Sequence, residues 1–152
     1  MPANKYGARK TQVDGITFHS IAEAKYYEQL KWLKVSKQIK DFKLQPRFLL
    51  QEAFKKNGKT FRKIEYIADF EVHNLDGSIE IIDIKGVETK EFAIKRKLYE
   101  RLYDMPLKVL ALDQSFGFIE LDELKKLKRK AGKSTVKRGN RRRSAVMGAG
   151  RR

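Results

Sequence analysis

Two short runs decide how this chain is read: Tyr66-Ile67-Ala68-Asp69-Phe70 and Ile81-Ile82-Asp83-Ile84-Lys85-Gly86. Both are apolar and strand-like, yet acids and a lysine stand at their ends, where a purely structural strand carries Val, Ile or Leu. Side chains alternate along an extended chain, so Asp83 and Lys85 share one side of a strand while Ile82 and Ile84 pack on the other. Gly86 ends the run at once. A four-residue turn, Asn74-Leu75-Asp76-Gly77, separates the two strands, so Asp69 and Asp83 lie on neighbouring strands of one hairpin. Facing residues of such a pair are roughly 4.5 to 5.5 Å apart, a spacing at which like charges destabilise a sheet unless a cation lies between them. For a single acid in a strand, the simpler expectation is a solvent-facing side chain.

Working outward, Arg47 to Phe54 reads as a strand, Asn57-Gly58 as a two-residue turn, and Phe61 to His73 as the partner strand. Ser78 to Lys85 adds a third strand, completing an antiparallel meander. Before it, Ile39 to Gln45 leads into Pro46, which ends any helix and starts an extended segment. Upstream, Ser20 is a good N-cap and Glu23 completes a capping box for a helix running to about Val35. Tyr27, Leu30 and Leu33-Lys34 continue the face that Glu23 begins. After the meander, Phe92, Ile94-Lys95, Leu98-Tyr99 and Leu102 recur at helical spacing from Glu91 to about Asp104. Leu107 to Leu112 then reads as an interior strand, and Asp122 starts a basic helix. Helix, meander, helix and strand in that order predict an α/β or α+β sandwich around one mixed sheet.

Length and charge divide the chain. Its 152 residues fit one domain over 16–130, with a basic N-terminal arm over 1–15 that orders only against the body or a ligand. Residues 131–152 carry almost nothing apolar and read as a disordered basic tail when free. Net charge is +16, but Lys125 to Arg152 holds 13 Lys and Arg and no acid, while the rest has 22 bases against 19 acids. A nearly neutral body with a polycationic end points to nucleic acid rather than a membrane face. There is no cysteine, which excludes disulfides and thiolate metal sites and fits a reducing, cytoplasmic setting. No apolar run approaches membrane-spanning length, and no secretory h-region follows Lys5, Arg9 and Lys10.

Several apparent motifs carry no chemistry. Gly58-Lys59-Thr60 imitates the end of a phosphate-binding loop, but residue 53 is Ala where the first glycine belongs, and no helix follows. This leaves no nucleotide cofactor to expect. His19 and His73 have no partners at metal-ligand spacing. Tyr26-Tyr27 and Trp32 on a helix read as core before they read as a base-stacking platform. Thr89 reads as a turn residue and Tyr99 as core.

Asp69 and Asp83 with a following Lys85, and Glu23 on an upstream helix, resemble the PD-(D/E)XK nuclease superfamily. From Lys5-Tyr6-Gly7-Ala8-Arg9-Lys10-Thr11 through Phe18-His19-Ser20 and Gln45-Pro46 to Lys85-Gly86, the body is similar to a phage-associated family related to Holliday-junction resolvases. The likeness covers roughly residues 5 to 115 and omits the tail. Ala68 stands where the superfamily name places Pro, at a position that holds no ligand.

This resemblance implies a restriction-endonuclease-like core and a metal-dependent endonuclease, acting on DNA and preferring branched DNA, in the host cytoplasm if phage-encoded. It implies Mg²⁺, with Mn²⁺ able to substitute, held by Glu23, Asp69, Asp83 and the backbone carbonyl of Ile84. Lys85 would orient water or stabilise charge on phosphorus. It implies a homodimer, and DNA contacts from Arg9, Lys10, Gln45, Lys95, Arg96 and Lys97, to which the tail adds Lys137, Arg138, Arg141, Arg142 and Arg143. For Lys95, a surface ion pair with Glu91 competes with that role. Two alternatives stay open: a non-catalytic nucleic-acid binder, and a nuclease for linear or single-stranded ends. A pure binder gives no reason to gather acids on a basic protein.

Overall fold

The computed structural model describes residues 9–145, with side chains through residue 133. The chain forms an α+β fold: a mixed five-stranded sheet, three short two-stranded ribbons and three helices. A hairpin of β1 (Thr11–Val13) and β2 (Ile16–Phe18) opens it, turning at Asp14-Gly15, both with positive φ. Asp14 accepts from Tyr27 Oη at 3.1 Å and pairs with Lys31 Nζ, so the end of the N-terminal arm is ordered against the body.

Helix α1 (Ile21–Val35) starts where its sequence signals put it. Ser20 is the N-cap, its hydroxyl accepting from Glu23 N at 3.1 Å. The return arm of the capping box differs from expectation: the Glu23 carboxylate accepts from the N–H of His19 at 3.4 Å, one residue before the cap.

The long antiparallel ribbon that follows is the main departure from the sequence expectation. β3 (Ile39–Leu44) pairs with β8 (Phe70–Asn74), and β4 (Arg47–Gln51) pairs with β7 (Ile64–Ile67). Leu44↔Phe70 and Arg47↔Ile67 belong to one register, so the two pairs are one ribbon bent at Gln45-Pro46 and Ala68-Asp69. Pro46 has no N–H to donate, and Gln45 lies at φ 49, so the ladder cannot run straight through. Two bonds nevertheless cross the bend, Gln45 N to Asp69 O at 3.0 Å and Ala68 N to Pro46 O at 3.1 Å. The segment 39–45 is therefore the strand that joins the central sheet. Arg47 to Phe54, expected there, leaves it, and the expected strand Phe61 to His73 is broken in two.

The central sheet has the order β11-β10-β9-β8-β3, with β9 (Ile79–Ile84) in the middle. β9 runs antiparallel to β8 and parallel to β10 (Leu107–Asp113), and α2 (Lys90–Leu102) makes the crossover. β11 (Gly117–Glu120) pairs antiparallel at the outer edge of β10. One face of the sheet packs Phe70, Val72, Ile82 and Ile84 against Ala24, Tyr26, Tyr27 and Leu30 of α1. The other packs Ile81, Val109 and Ala111 against Tyr66, Phe92, Tyr99 and, from α3 (Leu121–Ala145), Leu121 and Leu124.

Two parts project from this body. Beyond a bulge at Leu49/Gln51 the ribbon continues as β5 (Phe54–Lys56) and β6 (Lys59–Phe61), with every residue from Gln51 to Ile64 exposed. Asn57 and Gly58, both at positive φ, make its tip. Helix α3 buries Leu121 and Leu124, and then every described residue from Lys125 to Lys133 is exposed. Its backbone stays helical to Ala145, past residue 130, where the sequence reading dissolves it; Lys and Arg are good helix formers, which favours continuation. No helix of the described residues is long and apolar enough to cross a membrane.

Leu30, 1% exposed, is the centre of the α1 face. Leu30→Ala should cost about 2–5 kcal/mol in urea unfolding. A loss well under 1 kcal/mol would show that α1 is not seated on the sheet as described.

Candidate active site

Beyond Phe70↔Ile82, the last pair of the β8–β9 ladder, Asp69 lies beside the C-terminal end of β9. Asp69 N donates to Ile82 O at 3.1 Å, and Ile84 N donates to Asp69 Oδ2 at 2.8 Å, so the bend fixes this carboxylate against the middle strand. Ile84 thus meets the site through its N–H, where the resemblance implied its carbonyl.

Asp83 is only 1% exposed, the one charged residue in the core. Its Oδ2 accepts a short hydrogen bond from Tyr66 Oη. Oδ1 lies 3.4 Å from Lys85 Nζ, within ion-pair range, but accepts no well-directed hydrogen bond and is buried without one. A buried carboxylate oxygen left in that state is costly. Lys85 itself is 32% exposed, its ammonium 4.9 Å from the centre of the Phe92 ring at the start of α2. Thr89 caps that helix, accepting from Phe92 N at 3.1 Å, so a turn residue sets the ring under the lysine.

Glu23 comes from the layer of α1, while Tyr66 and Phe92 belong to the opposite layer, so the cluster straddles the end of the sheet. Burial raises the proton affinity of Glu23, opposed chiefly by the His19 N–H, with a further upward push from the charge of Asp83. Asp69 is pushed up to about 9, first by burial, then by the charges of Asp83 and Glu23, against the lowering effect of the Ile84 N–H. The three carboxylates are therefore near enough to oppose one another's ionisation. The effect on Asp69 is to favour its protonated, uncharged form.

Three hard oxygen donors and an orphaned buried oxygen suit a hard divalent cation. As they stand, no three acidic or histidine side chains among the described residues converge closely enough to hold an ion. Tyr66 occupies Oδ2 of Asp83 and the His19 N–H one oxygen of Glu23, which leaves the second oxygen of each carboxylate outside those bonds.

A cleft of about 280 Å³ opens beside Lys85, lined by Tyr66, Lys85, Thr89, Glu91, Phe92 and Lys95 among others and by none of the three carboxylates. Of the other residues singled out in the sequence, Gln45 is exposed and held to Asp69 by its backbone, which places it beside the site. Lys95, Arg96 and Lys97 are consecutive on α2 and do not share a face. Lys95 lines the cleft and pairs with Glu91 at 3.2 Å. Arg96 bonds Asp122 at 3.3 Å and ties α2 to α3, and Lys97 is exposed. Arg9 and Lys10 are exposed just before β1. Lys137, Arg138, Arg141, Arg142 and Arg143 fall where only the backbone of α3 is described, and their side chains lie outside the described part.

Sequence reasoning missed Tyr66 and Phe92. Nothing separates either from a core aromatic, and both are also core.

Residues 3–116 match the family described as Protein of unknown function (DUF1064). The chain belongs to that family. Glu23, Asp69, Asp83 and Lys85 all fall inside the matched span, which ends before α3. No curated protein and no solved structure matches the chain.

The raised Asp69 makes stability depend on pH. The native state keeps a proton that the unfolded chain releases near the ordinary carboxylate value, so this stabilisation is complete below that value. It is lost as pH rises toward about 9. In EDTA the melting temperature should fall between about pH 5 and 9, and Asp69→Asn should flatten the fall. Added Mg²⁺ should raise it more at high pH than at low, because binding competes with the proton. A pH profile that is identical in Asp69→Asn and parent would refute the shared-proton arrangement.

Proposed function

We propose that this protein is a metal-dependent DNA endonuclease of the PD-(D/E)XK type, with a restriction-endonuclease-like core. The observation that carries the reading is the meeting of Glu23, Asp69 and Asp83 with Lys85 at a strand end, with one oxygen of Asp83 buried and unsatisfied. Structural roles account for Glu23 as a cap and for Asp69 as a bend. They leave Asp83 unexplained, because an apolar residue in the middle strand would avoid its desolvation.

In this reading Glu23, Asp69 and Asp83 hold Mg²⁺, with Mn²⁺ able to substitute; such an ion, when bound, lowers the pKa of water and offsets phosphate charge. Asp69 gives up its proton when the ion binds. Lys85, beside the Phe92 ring, either orients the attacking water or stabilises charge gathering on the phosphate. Tyr66 positions Asp83 through Oδ2 and leaves Oδ1 free. Branched DNA is the proposed substrate, drawn from the resemblance to junction resolvases, and a two-fold homodimer would present two such sites. The second reading, a non-catalytic nucleic-acid binder, draws on the lack of a preassembled ion-holding group among the described residues.

Cleavage of a labelled four-way junction, fork, linear duplex and single strand with Mg²⁺ decides between them. Asp83→Asn should slow cleavage on the order of 10³-fold, and Lys85→Ala on the order of 10²- to 10³-fold, with DNA binding retained. No cleavage of any substrate by the parent with Mg²⁺ or Mn²⁺, or parental rates in both variants, would sink the nuclease reading. Equal cutting of all four DNAs would remove the preference for junctions alone.

A further inference from the structure

The projecting hairpin between Gln51 and Ile64 has no part in the cluster of carboxylates, yet its composition is unlike the rest of the body. It holds Lys55, Lys56, Lys59, Arg62 and Lys63 against a single acid, Glu52. Elsewhere in the body Lys31, Lys34, Lys85, Lys95, Arg96, Lys108, Lys125 and Lys126 have carboxylate partners, while Lys25, Lys37, Lys40, Lys43 and Lys97 are scattered cations with no ion pair among the described residues. In the hairpin only Lys63 does, bonding Glu65 at 2.8 Å; Lys55, Lys56, Lys59 and Arg62 have no ion pair among the described residues. Lys56 and Lys59 are direct cross-strand partners, an opposition of like charges that costs stability unless an anion spans them.

The hairpin is nonetheless well built. Phe54 and Phe61 face each other across its strands, rings 4.8 Å apart and 12° from parallel, and remain 44% and 38% exposed. Lys59 Nζ lies 5.2 Å from the Phe61 ring centre, so the ring and ammonium groups share one face. At about 3.3 Å per residue, the ribbon reaches roughly 20 Å from Gln51 to its tip. Its root is β7, whose Tyr66 bonds Asp83. A second cleft, of about 390 Å³ and lined by Lys63, Ile64, Glu91, Ile94, Lys95 and Leu98, shares Glu65, Glu91 and Lys95 with the one at Lys85. A continuous path therefore runs from the base of the hairpin to the candidate active site.

We propose that this hairpin is a DNA-binding arm that lies in a groove of duplex DNA, with Lys55, Lys56, Lys59 and Arg62 on the phosphates. The major groove of B-DNA admits a two-stranded ribbon, and lysine and arginine without carboxylate partners supply the counterion-releasing contacts that dominate affinity. Lysines on exposed edge strands also guard against edge-to-edge pairing. That role needs few of them and gives no reason to set Lys56 against Lys59. The direction of the bound duplex toward Lys85 rests on the nuclease reading; binding by the arm does not.

The test is anisotropy of the full-length protein with a duplex of about 20 base pairs in EDTA, from about 50 to 200 mM salt. Lys55→Gln, Lys56→Gln, Lys59→Gln and Arg62→Gln together should lower the slope of log affinity against log salt by about 3 to 4. A control of equal charge, Lys25→Gln, Lys37→Gln, Lys40→Gln and Lys43→Gln, should lower it by less than about 1. Should the fourfold variant lose its parental circular dichroism, Lys56→Gln with Lys59→Gln should still lower the slope by about 2. Arm variants that match the parent or the control overturn the proposal. So does displacement of the duplex by poly-glutamate at equal charge, which would assign the arm to an acidic polypeptide. A parent that never cuts, but whose arm variants lose binding, leaves the arm standing and removes the nuclease reading.

Discussion

A carboxylate sealed inside the middle strand of a sheet is the constraint on which this structure turns. Asp83 has lost nearly all contact with water and has two more acids near it, so its surroundings are built to manage negative charge. Tyr66 donates to one oxygen, Lys85 stands by the other, and burial beside Asp83 raises the proton affinity of Asp69. Each of these ties a separate element to the end of β9. Tyr66 brings the β4–β7 ribbon, Lys85 brings the start of α2 through Phe92, and Asp69 brings the bend before β8. The same groups that offset a local electrostatic penalty also join three elements of the fold.

The bend in the long ribbon makes this convergence possible. A straight hairpin of that length would keep β4 and β7 in the central sheet, and Tyr66 would then project beside Asp69 rather than reach Asp83. With Pro46 and Gln45 opposite Ala68 and Asp69, the outer half swings away and lays Phe48 and Tyr66 over the face that carries Asp83. Beyond the bulge at Leu49/Gln51 the ribbon has no sheet to join and stands in solvent, held by its turn and its aromatic pair. One backbone irregularity thus both closes the site and releases the arm.

Local signals in the sequence were legible where the physics is local. Ser20, Thr89 and Asn57-Gly58 act through bonds or dihedrals within a few residues, and the structure has caps and a turn at those places. The alternation at Ile82, Asp83 and Ile84 likewise separates core from site. What failed depends on distance along the chain. That β3 rather than β4 joins the sheet is decided by which partner accepts the bend, and Pro46 announces a break without saying on which side the sheet lies. Tyr66 is indistinguishable from a core tyrosine until its hydroxyl is seen to meet Asp83. Lys95, Arg96 and Lys97 look like one basic patch in a string of letters, but successive helical positions point about 100° apart, and the three have different neighbours.

The distribution of charge follows from the chemistry proposed for the site. Three carboxylates repel a phosphate backbone, so an enzyme that uses them must obtain its affinity for DNA somewhere else. The cations nearest the cluster are largely committed to carboxylates, as Lys95 is to Glu91 and Arg96 to Asp122. The hairpin gathers four cations without such partners in one short ribbon, and the exposed stretch of α3 from Lys128 to Lys133 is basic as well. Separating the two lets binding strength and its salt dependence be set at the periphery, where charges are solvated and cost little to hold. The proton affinities at the centre are then set by burial, by the His19 and Ile84 N–H groups, and by the three acids' effect on one another. A net charge of +16 around an acidic core is, on this view, the consequence of bringing one polyanion to another.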